Sequence, residues 1–370
     1  MLTAPQARAL LAAPELLAAA SARDLRVAER LRAQWPADLV AAASEQSELR
    51  ERARDKIGYA DALLLTRAGL EQASSAAVAA HRARRFAPVD GPVADLCCGI
   101  GVDLMALARV AQCVGVDRDE THAVCAAHNA RAATVVADVR TIRVDRLAAV
   151  FVDPARRSGE RRGGYEPPLA WCLSLPAARV AVKAAPGLDL AVVPSGWEAE
   201  FVAEGRALKE ACLWSPGWAT TTRRATVLPA GATLVASGAP VADVRPPGRF
   251  VLDPSPAVTR AGLVAELAAQ LDAGQIDPHI AFLTADAPLA SPFGRSLRVE
   301  ASLPFGVKPL AAELRRLDIG AVDLRRRGLA GDVEDLRRRL RLRGSRRGTV
   351  LLTRVVDRPW ALVCTELADA

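Results

Sequence analysis

Four short apolar segments, each carrying an aspartate at or near its end, recur through residues 93–153 and leave few folds open. Val93-Ala94-Asp95-Leu96 runs into the turn Cys97-Cys98-Gly99-Ile100-Gly101. Cys113-Val114-Gly115-Val116-Asp117, Val135-Val136-Ala137-Asp138 and Ala149-Val150-Phe151-Val152-Asp153 follow. The first three aspartates are 22 and 21 positions apart, about one strand plus one crossover helix each. Such a βαβ series predicts a parallel sheet with its acidic strand ends gathered at one edge. In open α/β sheets that edge is where ligands bind.

At 370 residues the chain has room for two or three domains. It has no run of 18 uncharged apolar residues and no basic segment leading into a cleavable apolar one. That argues against membrane spans and secretion and leads us to expect a cytoplasmic protein. Seven cysteines without a Cys-x-x-Cys read as reduced, mostly buried thiols, and the four histidines show no metal spacing. The net charge of +7 is concentrated at one end: residues 301–370 hold 15 Lys/Arg against 9 Asp/Glu. A basic tail module on a near-neutral body is a footprint for a polyanion.

The organisation expected is an N-terminal helical domain (1–85), a sheet domain (86–230), a connecting α/β region (231–300) and a small basic α+β domain (301–370). Thr66 is a good N-cap for one helix over 67–81. Pro88–Pro92 makes a hinge. Arg179–Lys183 is a further strand, and Glu198–Val202 and Ala225–Leu228 read as a closing hairpin. Pro256–Leu271 reads as one amphipathic helix. Leu310–Leu317 and Asp332–Leu342 read as helices, and Thr349–Val356 with Trp360–Thr365 as a hairpin.

The glycine turn carries the first chemical hint. Dinucleotide folds want a third glycine for the pyrophosphate, and Leu104 stands in its place here. A nucleoside cofactor without pyrophosphate fits better, and S-adenosyl-L-methionine is the one the acids suit. Asp95 and the backbone of the Cys97, Gly99 and Gly101 turn would hold its amino-acid end. Asp117 would accept both ribose hydroxyls, and Asp138 the adenine amino group with Val139 against the ring. Gln72 would help close this pocket.

Asp153-Pro154-Ala155-Arg156-Arg157 is the reaction-site candidate. In amino-group methyltransferases the matching turn is often Asp/Asn-Pro-Pro-aromatic, which orients a target nitrogen for in-line displacement. Here Ala155 replaces the second proline and Arg156 the aromatic. Arg156 and Arg157 could stack on a base, pair with phosphate or form structural ion pairs. Lys183 could meet substrate phosphate or pair with Asp153. Cys172 reads as core, since a nucleophilic thiol would want a Pro-Cys at that turn. Arg325, Arg326, Arg327, Arg337 and Arg338 could neutralise phosphates or form a solvated face.

Four blocks resemble a known family. They are Leu65–Ser74, Asp95–Gly101, Asp153–Arg157 and Lys183–Asp189, joined by Lys308–Pro309 through Gly328 and by Gly344–Arg354. They look like the bacterial class I SAM-dependent methyltransferases with a C-terminal THUMP-like domain. The resemblance implies a seven-stranded Rossmann-like sheet in the order 3-2-1-4-5-7-6. True THUMP domains present RNA to modifying enzymes, so it also implies RNA (tRNA or rRNA) as partner. The rival readings are a non-catalytic RNA-binding protein on the same scaffold and a methyltransferase acting on a small molecule or protein. A nicotinamide-dependent oxidoreductase is more distant.

Overall fold

Parallel strands need a long crossover, and the spacing of the acidic segments supplies one each time. In the computed structural model, which describes residues 2–20, 25–156 and 164–367, these segments become β1 (Val93–Leu96), β2 (Cys113–Asp117), β3 (Ala133–Val136) and β4 (Ala149–Val152). β5 (Val180–Ala184), β6 (Glu198–Glu204) and β7 (Ala207–Trp214) extend this sheet, whose order through them is β3-β2-β1-β4-β5-β7-β6. This is the expected order. β1 to β5 are parallel and β7 is antiparallel to β5. All four residues of β1 and of β4 are buried, as in a sheet covered on both faces. Helices Val102–Leu107 and Glu120–Ala130 make the first two crossovers. Asp119 caps the second by accepting from the Thr121 and His122 N–H groups.

Three expectations need correction here. The strand that follows β6 and forms its hairpin is β7, an element the sequence reading does not place between Glu198–Val202 and Ala225–Leu228. Lys209 and Glu210 broke the apolar pattern of β7, but Glu210 is buried in an ion pair. The helix expected over 67–81 is two helices, Arg67–Gln72 and Ala76–Ala83, the second capped afresh by Ser75. Residues 1–85 are not a separate domain. Their apolar stripes, including Leu10, Leu49 and Leu64, share one core with Ile100, Val102 and Cys125 of the sheet's own helices and turn.

The chain divides into two compact units: Met1–Glu204 with Lys209–Thr220, and Gly205–Leu208 with Thr221–Ala370. The second unit contains the antiparallel pair β8 (Arg223–Leu228) and β9 (Ala232–Val235). It also holds β10 (Phe250–Pro254), β11 (Gly274–Asp277), β12 (Ile280–Ala285), β13 (Gly294–Pro304), β14 (Ile319–Arg326), β15 (Arg346–Val355) and β16 (Arg358–Glu366). These form a sheet in the order β11-β12-β10-β13-β16-β15-β14. β13 pairs with β10 along one edge (Leu297↔Val251) and with β16 along the other (Leu303↔Ala361). The boundary expected at residue 300 therefore falls inside a strand, and 231–300 and 301–370 share one sheet. Helices Val307–Arg316 and Val333–Leu340 bury Leu310, Leu314, Leu336 and Leu340 against it. The helix expected over 256–271 is broken into Pro256–Ala261 and Val264–Leu271 by Gly262, which caps the first in the left-handed conformation (φ 66°).

Candidate active site

Because β1 to β5 run parallel, the loops that follow them open on one edge. A cleft of about 850 Å³ lies there, within the range of small-molecule sites. Cys97, Gly99, Asp117, Asp138, Val139, Asp153, Pro154, Arg156, Lys183 and Gln72 all line it.

The glycine turn is wound tightly. Cys97, Gly99 and Gly101 all have positive φ (62°, 53° and 83°). A Cβ at Gly101 would stand 2.7 Å from the Ala126 Cα, so glycine is required there on two grounds. Cys97 occupies a conformation that costs a non-glycine residue about 1–2 kcal/mol. The Asp117 carboxylate fastens this turn. Its Oδ2 accepts from the Gly99 N–H at 2.9 Å and its Oδ1 from the Asp119 N–H at 2.9 Å. A carboxylate has about four acceptor sites, so both oxygens keep capacity for a ligand.

Asp138 is exposed and accepts from the Arg140 guanidinium and N–H, bonds that hold it below the usual carboxylate range. Arg140 also pairs with Glu166 at 3.0 Å.

Asp95 departs from expectation. β1 runs one residue past it, so it lies within the strand rather than at its tip. It is wholly buried, is absent from the cleft lining, and neither carboxyl oxygen has a hydrogen-bond partner among the described residues. Burial, then the charges of Asp103 and Asp153, push its pKa well up. A carboxyl whose pKa is higher folded than unfolded binds more protons in the folded state. Its stabilisation is complete below the unfolded pKa and is lost as pH rises through the folded one. Asp95→Asn is therefore expected to gain stability relative to wild type as pH is raised from 5 to 8, measured by urea denaturation at each pH. A pH-independent difference between the two proteins would contradict this account.

Lys183 pairs with Asp153. Its Nζ donates to Asp153 Oδ2 at 2.7 Å, with side-chain exposures of 14% and 28%. Burial raises the Asp153 pKa against the opposing pull of Lys183. For Lys183, burial works against the charge, but Asp153 and then Asp103 and Glu210 outweigh it and hold the lysine above its usual range. Beneath them lies a buried knot that sequence reasoning missed. Arg82, 3% exposed, donates to both Glu210 oxygens (2.7 and 2.5 Å) and to Asp103, whose Oδ2 accepts from Ser74. The Arg82 guanidinium also sits 4.5 Å from the Phe151 ring centroid. Asp103 and Glu210 line the cleft.

After Pro154 the chain forms a two-stranded ribbon, with Ala155 opposite Glu166 and Arg156 opposite Tyr165. Arg157 lies outside the described residues. Tyr165, also missed, lines the cleft, and its hydroxyl accepts from the Ala185 N–H at 2.8 Å. Cys172 is buried core, its thiol pushed up to about 12 by burial. Among the described residues no cluster of His, Cys, Asp or Glu could hold a metal, and no helix is long and apolar enough to cross a membrane.

The arginines of the second unit are more engaged than expected. Arg325 pairs with Asp323, and Arg327 with Asp253 over the Phe282 ring. Arg337 and Arg338 pair with Glu334 and Asp335 one helical turn away. The first-turn acids that favour the helix also partly neutralise its arginines. Arg326 makes no ion pair among the described residues.

The family described as THUMP domain-like matches residues 294–366, which span β13 to β16. Two relatives, from Mycobacterium tuberculosis strains CDC 1551 / Oshkosh and ATCC 25618 / H37Rv, bear the name "uncharacterized S-adenosylmethionine-dependent methyltransferase". Each is 40% identical over 332 residues, 84% of this chain and 92% of its own. A crystal structure of a Porphyromonas gingivalis W83 protein assigned as a methyltransferase shares the fold, with a TM-score of 0.76 over 96% of this chain and 99% of that one at 23% identity. By its kinship with the Mycobacterium proteins this chain belongs to the S-adenosylmethionine-dependent methyltransferases, enzymes that take S-adenosyl-L-methionine as their cofactor, and it carries a THUMP-like domain at residues 294–366.

Proposed function

We propose that this enzyme methylates a nucleobase in tRNA or rRNA in the cytoplasm. The observation that carries the reading is the THUMP-like match at 294–366, in the part of the chain that holds most of the surplus positive charge.

The residues present suit the cofactor. A Cβ at Gly99 would meet nothing within 4 Å among the described residues beyond its chain neighbours, so the turn leaves its backbone open to a ligand. In this reading the Cys97–Gly101 turn receives the methionine end, Asp117 the ribose hydroxyls, and Asp138 with Val139 the adenine. When bound, S-adenosylmethionine supplies an electrophilic methyl group on a sulfonium. Asp153 accepts a hydrogen bond from the target nitrogen and aims its lone pair, a positioning effect. Lys183 fixes the carboxylate, and Pro154 stiffens the turn. Arg156 faces the base, and Arg157, with Arg325, Arg326, Arg327, Arg337 and Arg338, meets phosphates. Asp95 has no part in this arrangement, because it does not line the cleft.

Nucleoside mass spectrometry of tRNA and rRNA from cells with and without the gene tests the proposal. One methylated nucleoside is expected to disappear and to return on complementation. If every nucleoside is unchanged, RNA is not the substrate. A small-molecule or protein acceptor then takes its place, a reading favoured by the ion pairs that Arg325, Arg327, Arg337 and Arg338 already make.

A further inference from the structure

The acceptor turn lacks the aromatic residue that follows the second proline in amino-group methyltransferases, but the cleft does not lack an aromatic. Tyr165, nine positions after Arg156, is brought there by the two-stranded ribbon. It is the register partner of Arg156, so the two side chains emerge on the same face of the ribbon as direct cross-strand neighbours. Both line the cleft beside Asp153, yet they differ in exposure: Tyr165 is 9% exposed and Arg156 is exposed.

The ring is held at both ends. Its backbone is fixed by the ladder, and its hydroxyl accepts from the Ala185 N–H, two residues beyond the lysine that pairs with Asp153. A ring fixed in this way presents a rigid apolar surface at little conformational cost. The guanidinium opposite is planar, always charged, and stacks on π-faces.

We propose that Tyr165 and Arg156 form an aromatic–guanidinium slot that receives a planar heteroaromatic ring and delivers its edge to Asp153. Tyr165 is the buried wall and Arg156 the solvent-side cover. The slot selects by ring stacking, so it determines specificity for a flat acceptor over an aliphatic amine or a free sugar. This deepens the proposed function, and it rests on that reading only for the ring being part of RNA.

The test uses the full chain saturated with S-adenosylhomocysteine and reads saturation-transfer NMR with adenosine, guanosine, cytidine, uridine and ribose 5-phosphate. Base protons of at least one nucleoside should receive saturation, and ribose 5-phosphate should receive none. Tyr165→Leu is expected to weaken the best-bound nucleoside about tenfold or more, the scale of one base–aromatic stack. Tyr165→Phe, which keeps the ring, should retain most of the binding. Arg156→Ala, at an exposed position, should weaken it about threefold or more, so the proposal does not depend on one buried variant folding. S-adenosylhomocysteine affinity by calorimetry, unchanged within about threefold, shows that each variant is intact and the cofactor site undisturbed. Absence of base-proton saturation from the wild type, or binding as tight as wild type in both Tyr165→Leu and Arg156→Ala, overturns the slot. Nucleoside binding that is lost in these variants, together with unchanged cellular RNA, keeps the slot and refutes RNA as the substrate. Changed cellular RNA with nucleoside binding indifferent to both variants does the reverse.

Discussion

Asp153→Ala is expected to lower methyl transfer about 100- to 1,000-fold at saturating cofactor, the cost of removing one preorganised polar group from a reacting centre. S-adenosylhomocysteine should still bind within about threefold of wild type, because none of the groups that hold the glycine turn is touched. The substitution has a second effect. Lys183 is 14% exposed and loses its carboxylate partner at 2.7 Å, so the folded state should also weaken. The double variant Asp153→Ala/Lys183→Met separates the two. Replacing both members of a buried pair by apolar groups is often neutral or stabilising. The double variant should therefore recover stability without recovering turnover. Single-turnover transfer of a radiolabelled methyl group, alongside thermal unfolding, measures both. Turnover restored in the double variant would show that Asp153 acts only by satisfying Lys183.

Arg82→Met should destabilise the first unit by about 3–5 kcal/mol, measured by urea denaturation of the full chain. One guanidinium neutralises two carboxylates, Asp103 and Glu210, whose side chains are 9% and 4% exposed. Its loss leaves both largely buried charges without their cation. Arg82→Lys should recover only part of the deficit, because an ammonium cannot reproduce the two bonds to Glu210 while also reaching Asp103. Asp103 sits in the first turn of the helix that follows Gly101, so S-adenosylhomocysteine affinity should fall as well. A change in stability below about 1 kcal/mol would place the knot among ordinary surface ion pairs.

What could be read from the sequence was what is local or periodic. The spacing of Asp95, Asp117, Asp138 and Asp153 locates four parallel strands, and parallel pairing brings three of the four acids to the cleft. Asp95 fails for a local reason: Leu96 still pairs within β1, which pulls its neighbour inside the strand. The features missed are those made by distant residues. Arg82 and Glu210 lie 128 positions apart, and each alone reads as a surface charge. Tyr165 reaches the acceptor turn through a ribbon only two residues long on each side, too short to leave a pattern. Ser74 and Ser75 looked like ordinary members of a helix, yet one bonds Asp103 and the other caps a new helix. Arg337 and Arg338 read as free charge in the sequence, but Glu334 and Asp335 stand three residues earlier, the spacing at which helix side chains pair.

β13 is the seam of its sheet, joined on one side to β10 and on the other to β16. Beneath it Val251, Ile276 and Phe282 share a core with Leu351, Leu362 and Cys364. The stretch recognisable by family likeness and the stretch that can stand alone are thus different objects. A fragment cut at residue 294 would carry away half of that core and leave a bare strand edge eager to pair with another molecule. Dissection of this enzyme has to begin well upstream of the point where its terminal domain becomes familiar.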